Sequence, residues 1–200
     1  MKIYDISQEV FGCMVYPGDP APKKETLCSI EKGDLYNLTA FSMCAHNGTH
    51  IDAPFHFLRN GKTVEEISLE RMVGYSFVAT HAGDLLTADA EYILKKAKNF
   101  GAEAAKRILI KGNATITLSA AEIFAKADVH LLGVESQSVG PENAPMAVHL
   151  VLLKKEVVLL EGLRLSEVEE GVYFLCAAPL ALTASDGAPC RAILVSFENS

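Results

Sequence analysis

"AHNGTHIDAPFHF", from Ala45 to Phe57, gathers three of the chain's six histidines and an aspartate into thirteen residues. His46, His50, Asp52 and His56 share one parity. In an extended chain, residues two apart face the same way, so His50 and Asp52 project together. A helix would also pair His46 with His50, but Gly48, the β-branched Thr49 and Ile51, and Pro54 all disfavour one. The stretch therefore reads as a strand end running into a sharp loop, with Gly48 letting backbone approach a ligand closely. Two imidazoles and a carboxylate make a ligand set suited to a divalent cation. Three protein ligands leave a position open for water, whose pKa a bound metal brings down to about 7. A carboxylate can also bridge two metals. His56 is then free to give and take protons.

Working outward, the chain alternates apolar runs with alanine- and lysine-rich ones. "MKIYDIS", "YNLTAFSMCAH", "SFVATHA", "KRILIKG", "ADVHLLGVE", "EVVLLEG", "VYFLCAA" and "RAILVSF" read as strands, several apolar enough for burial on both faces. "YPGDPAP", from Tyr16, is turn chemistry. Thr87 is placed to cap a helix reaching about Asn99, with Gly101 beyond its end. Ser119 and Glu122 have capping-box spacing, and Pro145 opens a helix through "MAVHLVLLKK". Strands and helices alternate only in the second half. The expected class is α/β or α+β around a mixed sheet, as one domain over residues 1–200.

Two acceptable ligands lie outside the histidine stretch. His149 falls on the helix after Pro145, and Glu161 ends a continuous apolar strand, where an acid is costly unless paired or bound to metal. Each alone reads as structural; together they could complete a second metal site. His81 and His130, beside strands, read as structural. Asp186 and Arg191, in "SDGAPCR", could bind a substrate carboxylate or close a turn as a pair, and stay outside the catalytic set. No G-x-S-x-G elbow exists, and Cys44, two residues before His46, reads as a small buried apolar residue rather than a nucleophile.

Bulk composition narrows the classes further. Half of the 200 residues are hydrophobic, enough for a sizeable core. A net charge of −7 with no basic run argues against nucleic acid and against an anionic membrane surface. No apolar run reaches about 18 residues, the length of a membrane span. "MKIYDISQEVFG" lacks the apolar core of a signal peptide, and five cysteines without a CxxC pair read as free thiols. The expected setting is the cytoplasm.

"HNGTHIDAPFHF" also resembles the H-x-G-T-H-x-D-x-P-x-H signature of the cyclase family of metal-dependent hydrolases, which includes bacterial kynurenine formamidases and isatin hydrolases. "YPGDP", "GVESQSVGP", "HLVLLKKEVVLLEGL" and "SDGAPCRAILV" resemble further landmarks of that family in the same order. The resemblance implies a swivelling β/β/α-type fold with a mixed central sheet and flanking helices, a homodimer or larger oligomer, and one or two divalent metals. By position it implies that His46, His50 and Asp52 hold the first metal. Asp52 would bridge to a second held by His149 and Glu161, and His56 would be the general acid/base. Tyr16 stands where formamidases usually carry a Trp that stacks on the substrate, and Glu135 where Asp is common. The ligands suit Zn²⁺ or Mn²⁺ comparably. The implied reaction is hydrolysis of a small amide, formamide, lactam, lactone or ester through a metal-activated water. The competing readings are a metal-dependent lyase or cyclase, and a non-catalytic binding member of the fold.

Overall fold

The computed structural model describes residues 1–197. Its strands in chain order are β1 (Lys2–Asp5), β2 (Lys23–Cys28), β3 (Leu38–Ser42), β4 (His50–Asp52), β5 (Val73–Thr80) and β6 (Gly83–Leu85). They continue with β7 (Arg107–Lys111), β8 (Ala114–Ile116), β9 (Leu131–Val134), β10 (Val158–Glu161), β11 (Gly171–Cys176), β12 (Gly187–Pro189) and β13 (Ile193–Ser196). Three α-helices are interleaved: α1 (Thr87–Phe100), α2 (Leu118–Lys126) and α3 (Met146–Leu153).

Nine strands form one curled mixed sheet, a half-barrel, in the order β1-β13-β11-β5-β7-β9-β10-β4-β12. The neighbours β5, β7, β9 and β10 run parallel, joined by crossovers carrying the helices, and the pairs flanking this centre are antiparallel. The apolar runs expected to be buried on both faces are so in β9 and β10, and almost throughout β7. Period-two alternation divides them between two cores. Ile108, Ile110, Leu132, Val134 and Leu159 face the helices and pack with Leu94, Phe124 and Leu152. Leu109, Leu131, Val158 and Leu160 face the other way and pack with Ile51, Leu175 and Leu194. Each such fully buried side chain is worth about 1.5–3 kcal/mol.

The same alternation positions the polar residues of the central strands. Glu161 is in register with His50, Leu160 with Ile51, and Leu159 with Asp52. Ile51 enters the second core, so His50 and Asp52 turn toward the helical side with Leu159 and Glu161. There α3 packs on β10 and brings His149, buried beside Val148, Leu152 and Leu153.

Several local expectations shift. The histidine stretch is not the end of a longer strand: β3 stops at Ser42, a turn carries His46, and His50–Asp52 is a separate strand inside the sheet, followed by a 3-10 turn at Pro54–His56. Helix α1 starts at Thr87 itself, with Leu86 as cap residue, whose N–H donates to Asp89. Thr117, not Ser119, caps α2, its Oγ1 accepting from the N–H of Ala120. Pro145 is the cap residue of α3 rather than its first helical position. The two-stranded β2–β3 ribbon stands off the main sheet with Leu27, Leu38 and Phe41 exposed. Among the described residues, no helix is long and apolar enough to cross a membrane.

Candidate metal centre

Gly48 makes the turn that aims this cluster. Its φ of +66° is a conformation other residues adopt at a cost, and a Cβ there would lie 3.0 Å from Cys13 Cβ. Gln137 braces the turn from outside, its Nε2 donating to the carbonyls of His46 (2.9 Å) and Gly48 (3.2 Å). Beyond the turn, β4 lies between β10 and β12, so its side chains are fixed on both edges by ladder pairing.

Three rings then meet two carboxylates. His50 Nε2 is 3.3 Å from Asp52 Oδ1 and 3.4 Å from Glu161 Oε2. His149 Nε2 is 3.6 Å from Asp52 Oδ2 and 3.4 Å from Glu161 Oε1. His46 Nδ1 is 2.8 Å from Asp52 Oδ1. Asp52 thus faces both halves: His46, His50 and Asp52 form one candidate ligand group, and Asp52, His149 and Glu161 another.

The opposite nitrogen of each ring is also engaged. His50 Nδ1 lies 2.9 Å from the Gly48 carbonyl, His149 Nδ1 lies 2.8 Å from the Pro145 carbonyl, and His46 Nε2 lies 2.9 Å from Asp186 Oδ2. These oxygens only accept, so each ring donates outward and, when neutral, turns a lone pair inward toward the carboxylates. Lone pairs from three imidazoles and two acids, all converging, fit a divalent cation.

Without a cation, protons must fill that role. His50, Asp52, His149 and Glu161 are only 1–3% exposed, and unpaired charge at such depth is costly. Burial opposes charging His50, yet hydrogen bonds and attraction to Asp52 and Glu161 raise its pKa from 6.5 to about 10. Burial is likewise overcome at His46, raised chiefly by Asp52, and at His149, raised chiefly by Glu161. Burial would lift Asp52, but hydrogen bonds from His46 and His50 hold it well below the usual carboxylate range.

The cluster forms one wall of a cavity of about 420 Å³. Tyr16, Phe57 and Pro145 supply apolar surface, Ser138 and Gln137 polar groups, and among the described residues no Lys or Arg lines it. Tyr16 stands at the mouth, its hydroxyl 3.4 Å from the Glu142 carbonyl. His56 lies 4.1 Å from His46, ring centre to ring centre. Its Nδ1 is 3.2 Å from Asp186 Oδ2.

A family model named Cyclase, described as "Putative cyclase", matches residues 4–141. The chain belongs to the cyclase family. It is 35% identical to kynurenine formamidase of Bacillus cytotoxicus over 204 residues, covering 95% of each chain. A solved structure described as a potential metal-dependent hydrolase with cyclase activity shares 27% identity, with a TM-score of 0.81 and 99% coverage of both chains. Isatin hydrolase A from Ralstonia solanacearum shares the fold at 20% identity, with a TM-score of 0.82 over 96% of this chain and 91% of its own. This cyclase-family chain is thus a homologue of kynurenine formamidase and of metal-dependent hydrolases.

In this cyclase-family protein, the six residues singled out from sequence around a metal (His46, His50, Asp52, His56, His149, Glu161) and Tyr16 all line the one cavity. His81 and His130 lie outside it: His81 Nε2 is 3.2 Å from the Asp84 carbonyl, and burial lowers the pKa of His130. Glu135 serves the scaffold, accepting from the N–H groups of Gly112 and Leu165. Cys44 lies along the wall with Sγ 3.9 Å from Asp19, and all five cysteines are free. Asp186 is the residue that sequence reasoning set aside. It does not close a turn with Arg191, which donates to Asp5 instead at 2.6 and 2.9 Å. Asp186 reaches His46 and His56. Its position just before the short strand Gly187–Pro189 carried no sequence signal of that contact.

Proposed function

We propose that this protein is a metal-dependent hydrolase of a small carbonyl substrate, with an aryl formamide first among amides, lactams, lactones and esters. The observation carrying this is the convergence of three inward-turned imidazoles and two buried carboxylates beside a ring, His56, whose Nε2 has no hydrogen-bond partner among the described residues. Descent shared with a kynurenine formamidase supports the formamide.

In this reading His46, His50 and Asp52 would hold one divalent cation, Zn²⁺ or Mn²⁺, and Asp52, His149 and Glu161 could hold a second. When bound, the cation polarises the carbonyl and acidifies a coordinated water. The chain's own groups do the rest. Tyr16 and Phe57 line the cavity and offer aromatic surface to a flat substrate, holding the carbonyl against the cluster. His56 Nε2 takes a proton from the attacking water and returns one to the departing nitrogen or oxygen, so water adds across the broken C–N or C–O bond. Such transfer is worth about 10²–10⁴-fold. A lining without Lys or Arg suits a substrate that is uncharged where it reacts.

We further infer that the chain works as one domain of the swivelling β/β/α type and as a homo-oligomer. The exposed Leu27, Leu38 and Phe41 on an isolated two-stranded ribbon support the oligomer, since such ribbons are marginal without a covering surface. Light scattering on purified protein checks this: an assembly of two or more copies is expected, and a monomer would overturn it.

The test of function is a panel of aryl formamides, lactams, lactones and esters incubated with protein loaded with Mn²⁺ or Zn²⁺. Lactams and lactones are expected to give ring-opened products heavier by one water, formamides an amine plus formate, and esters an acid plus an alcohol, and chelation should abolish them all. Ring-closed or eliminated products would favour the lyase or cyclase reading. Full turnover after verified metal removal would overturn the proposal.

A further inference from the structure

Asp186 precedes β12, whose Gly187 pairs with Asp52 of β4, so the sheet itself sets this side chain beside the cluster. Its backbone is pinned: the Asp186 carbonyl accepts from Ala53 N–H at 2.9 Å, and the neighbouring Ser185 carbonyl accepts from Val64 N–H at 2.9 Å. A single carboxylate oxygen, Oδ2, then meets two rings, His46 Nε2 at 2.9 Å and His56 Nδ1 at 3.2 Å. The adjacent cation, Arg191, is committed to Asp5, and among the described residues Asp186 pairs with the two rings and with no lysine or arginine.

We propose that Asp186 is a positioning residue that sets the tautomers of both His46 and His56 through this one oxygen. The inference rests on the proposed role of His56. Because an ionised carboxylate only accepts, the nitrogen facing it on each ring carries the hydrogen. A neutral His56 then has its lone pair on Nε2, free to take a proton. A neutral His46 has its lone pair on Nδ1, aimed at the side where Asp52 lies. One side chain thereby prepares a proton-transfer group and orients a candidate metal ligand. A carboxylate behind a catalytic imidazole has the same logic in hydrolytic triads, and carboxylates behind metal-binding histidines orient those rings. Having the two rings 4.1 Å apart lets one oxygen serve both.

The test uses the full chain with ¹⁵N-labelled histidine, as wild type, Asp186→Ala and Asp186→Asn, with thermal melts confirming that each is folded. Long-range ¹H–¹⁵N spectra of metal-free protein at alkaline pH read each neutral ring's tautomer. Wild type is expected to show His56 hydrogenated on Nδ1. Asp186→Ala should lose that preference, and Asp186→Asn, which keeps an acceptor oxygen, should recover it. Affinity for Zn²⁺, by competition with a chelating dye, should fall about 10–100-fold in Asp186→Ala. On any hydrolysed substrate, kcat should drop by about 10²-fold or more while KM stays near wild type. An unchanged His56 tautomer in Asp186→Ala, or unchanged Zn²⁺ affinity, would overturn the proposal. The tautomer and affinity readouts stand even if no substrate is found, so failure of the hydrolase reading is distinguishable from failure of this one.

Discussion

Removing the cation should make this protein's stability depend steeply on pH. In the metal-free cluster His50 has its pKa raised from 6.5 to about 10 by Asp52 and Glu161. A group with a raised folded pKa stabilises fully below its unfolded value, and that stabilisation disappears as pH climbs through the folded value. The window is therefore 6.5 to about 10. At about 1.4 kcal/mol per unit the full loss is on the order of 5 kcal/mol. For a chain of this size that is a fall in Tm of about 10–20 °C. A bound cation replaces the proton, so the metal-loaded protein should lack this component, and those of the other ligand side chains, while sharing the titrations outside the cluster. The assay is a pair of melting series, metal-free and Zn²⁺-loaded, across the same pH range. Their difference isolates the cluster. Calorimetric loading in two buffers of unlike ionisation enthalpy should also show about one or more protons released near neutral pH. Parallel melting curves, or loading without proton release, would refute the reasoning.

His56→Ala should retain wild-type metal content while losing about 10²–10⁴-fold in kcat on a hydrolysed substrate, measured by elemental analysis and steady-state kinetics. Gly187→Ala places a Cβ 2.6 Å from the Ile51 carbonyl oxygen and 2.8 Å from His46 Cε1. Thermal or urea melts should show about 1–3 kcal/mol of destabilisation, with metal affinity weakened as His46 is pushed off Asp52. Tyr16→Ala should raise KM for an aromatic substrate by about 2–10-fold with little change in kcat, and Tyr16→Trp should not, if the ring stacks on substrate.

Much of this architecture is written in short-range pattern. The runs around Ile108, Leu132 and Leu159 announce themselves as buried strands because both faces of a parallel sheet need apolar side chains. His50 and Asp52 share a face because strand period is two, and His149 is legible as a polar residue on an otherwise apolar helix. What escapes depends on distant pairing. Three-residue strands such as Ala114–Ile116 and Gly187–Pro189 are held by their partners rather than by their own pattern. Arg191 lies near Asp5 because β1 pairs with β13, and this draws it away from Asp186. Asp186 reaches His46 across 140 residues of sequence, a contact set by sheet order alone. Thr117 displaces Ser119 as cap because its hydroxyl is already tied to the Leu85 carbonyl at 2.7 Å, which fixes where the helix begins.

Asp52 belongs to both ligand groups, so its removal strikes at the whole centre. Elemental analysis of wild type and Asp52→Ala, each equilibrated with Zn²⁺ or Mn²⁺ and freed of excess by gel filtration, is the most direct test. At least one equivalent of metal per wild-type chain, and almost none in folded Asp52→Ala, is the expected result. Wild-type protein that holds no metal, or an Asp52→Ala protein that holds as much, would contradict the account.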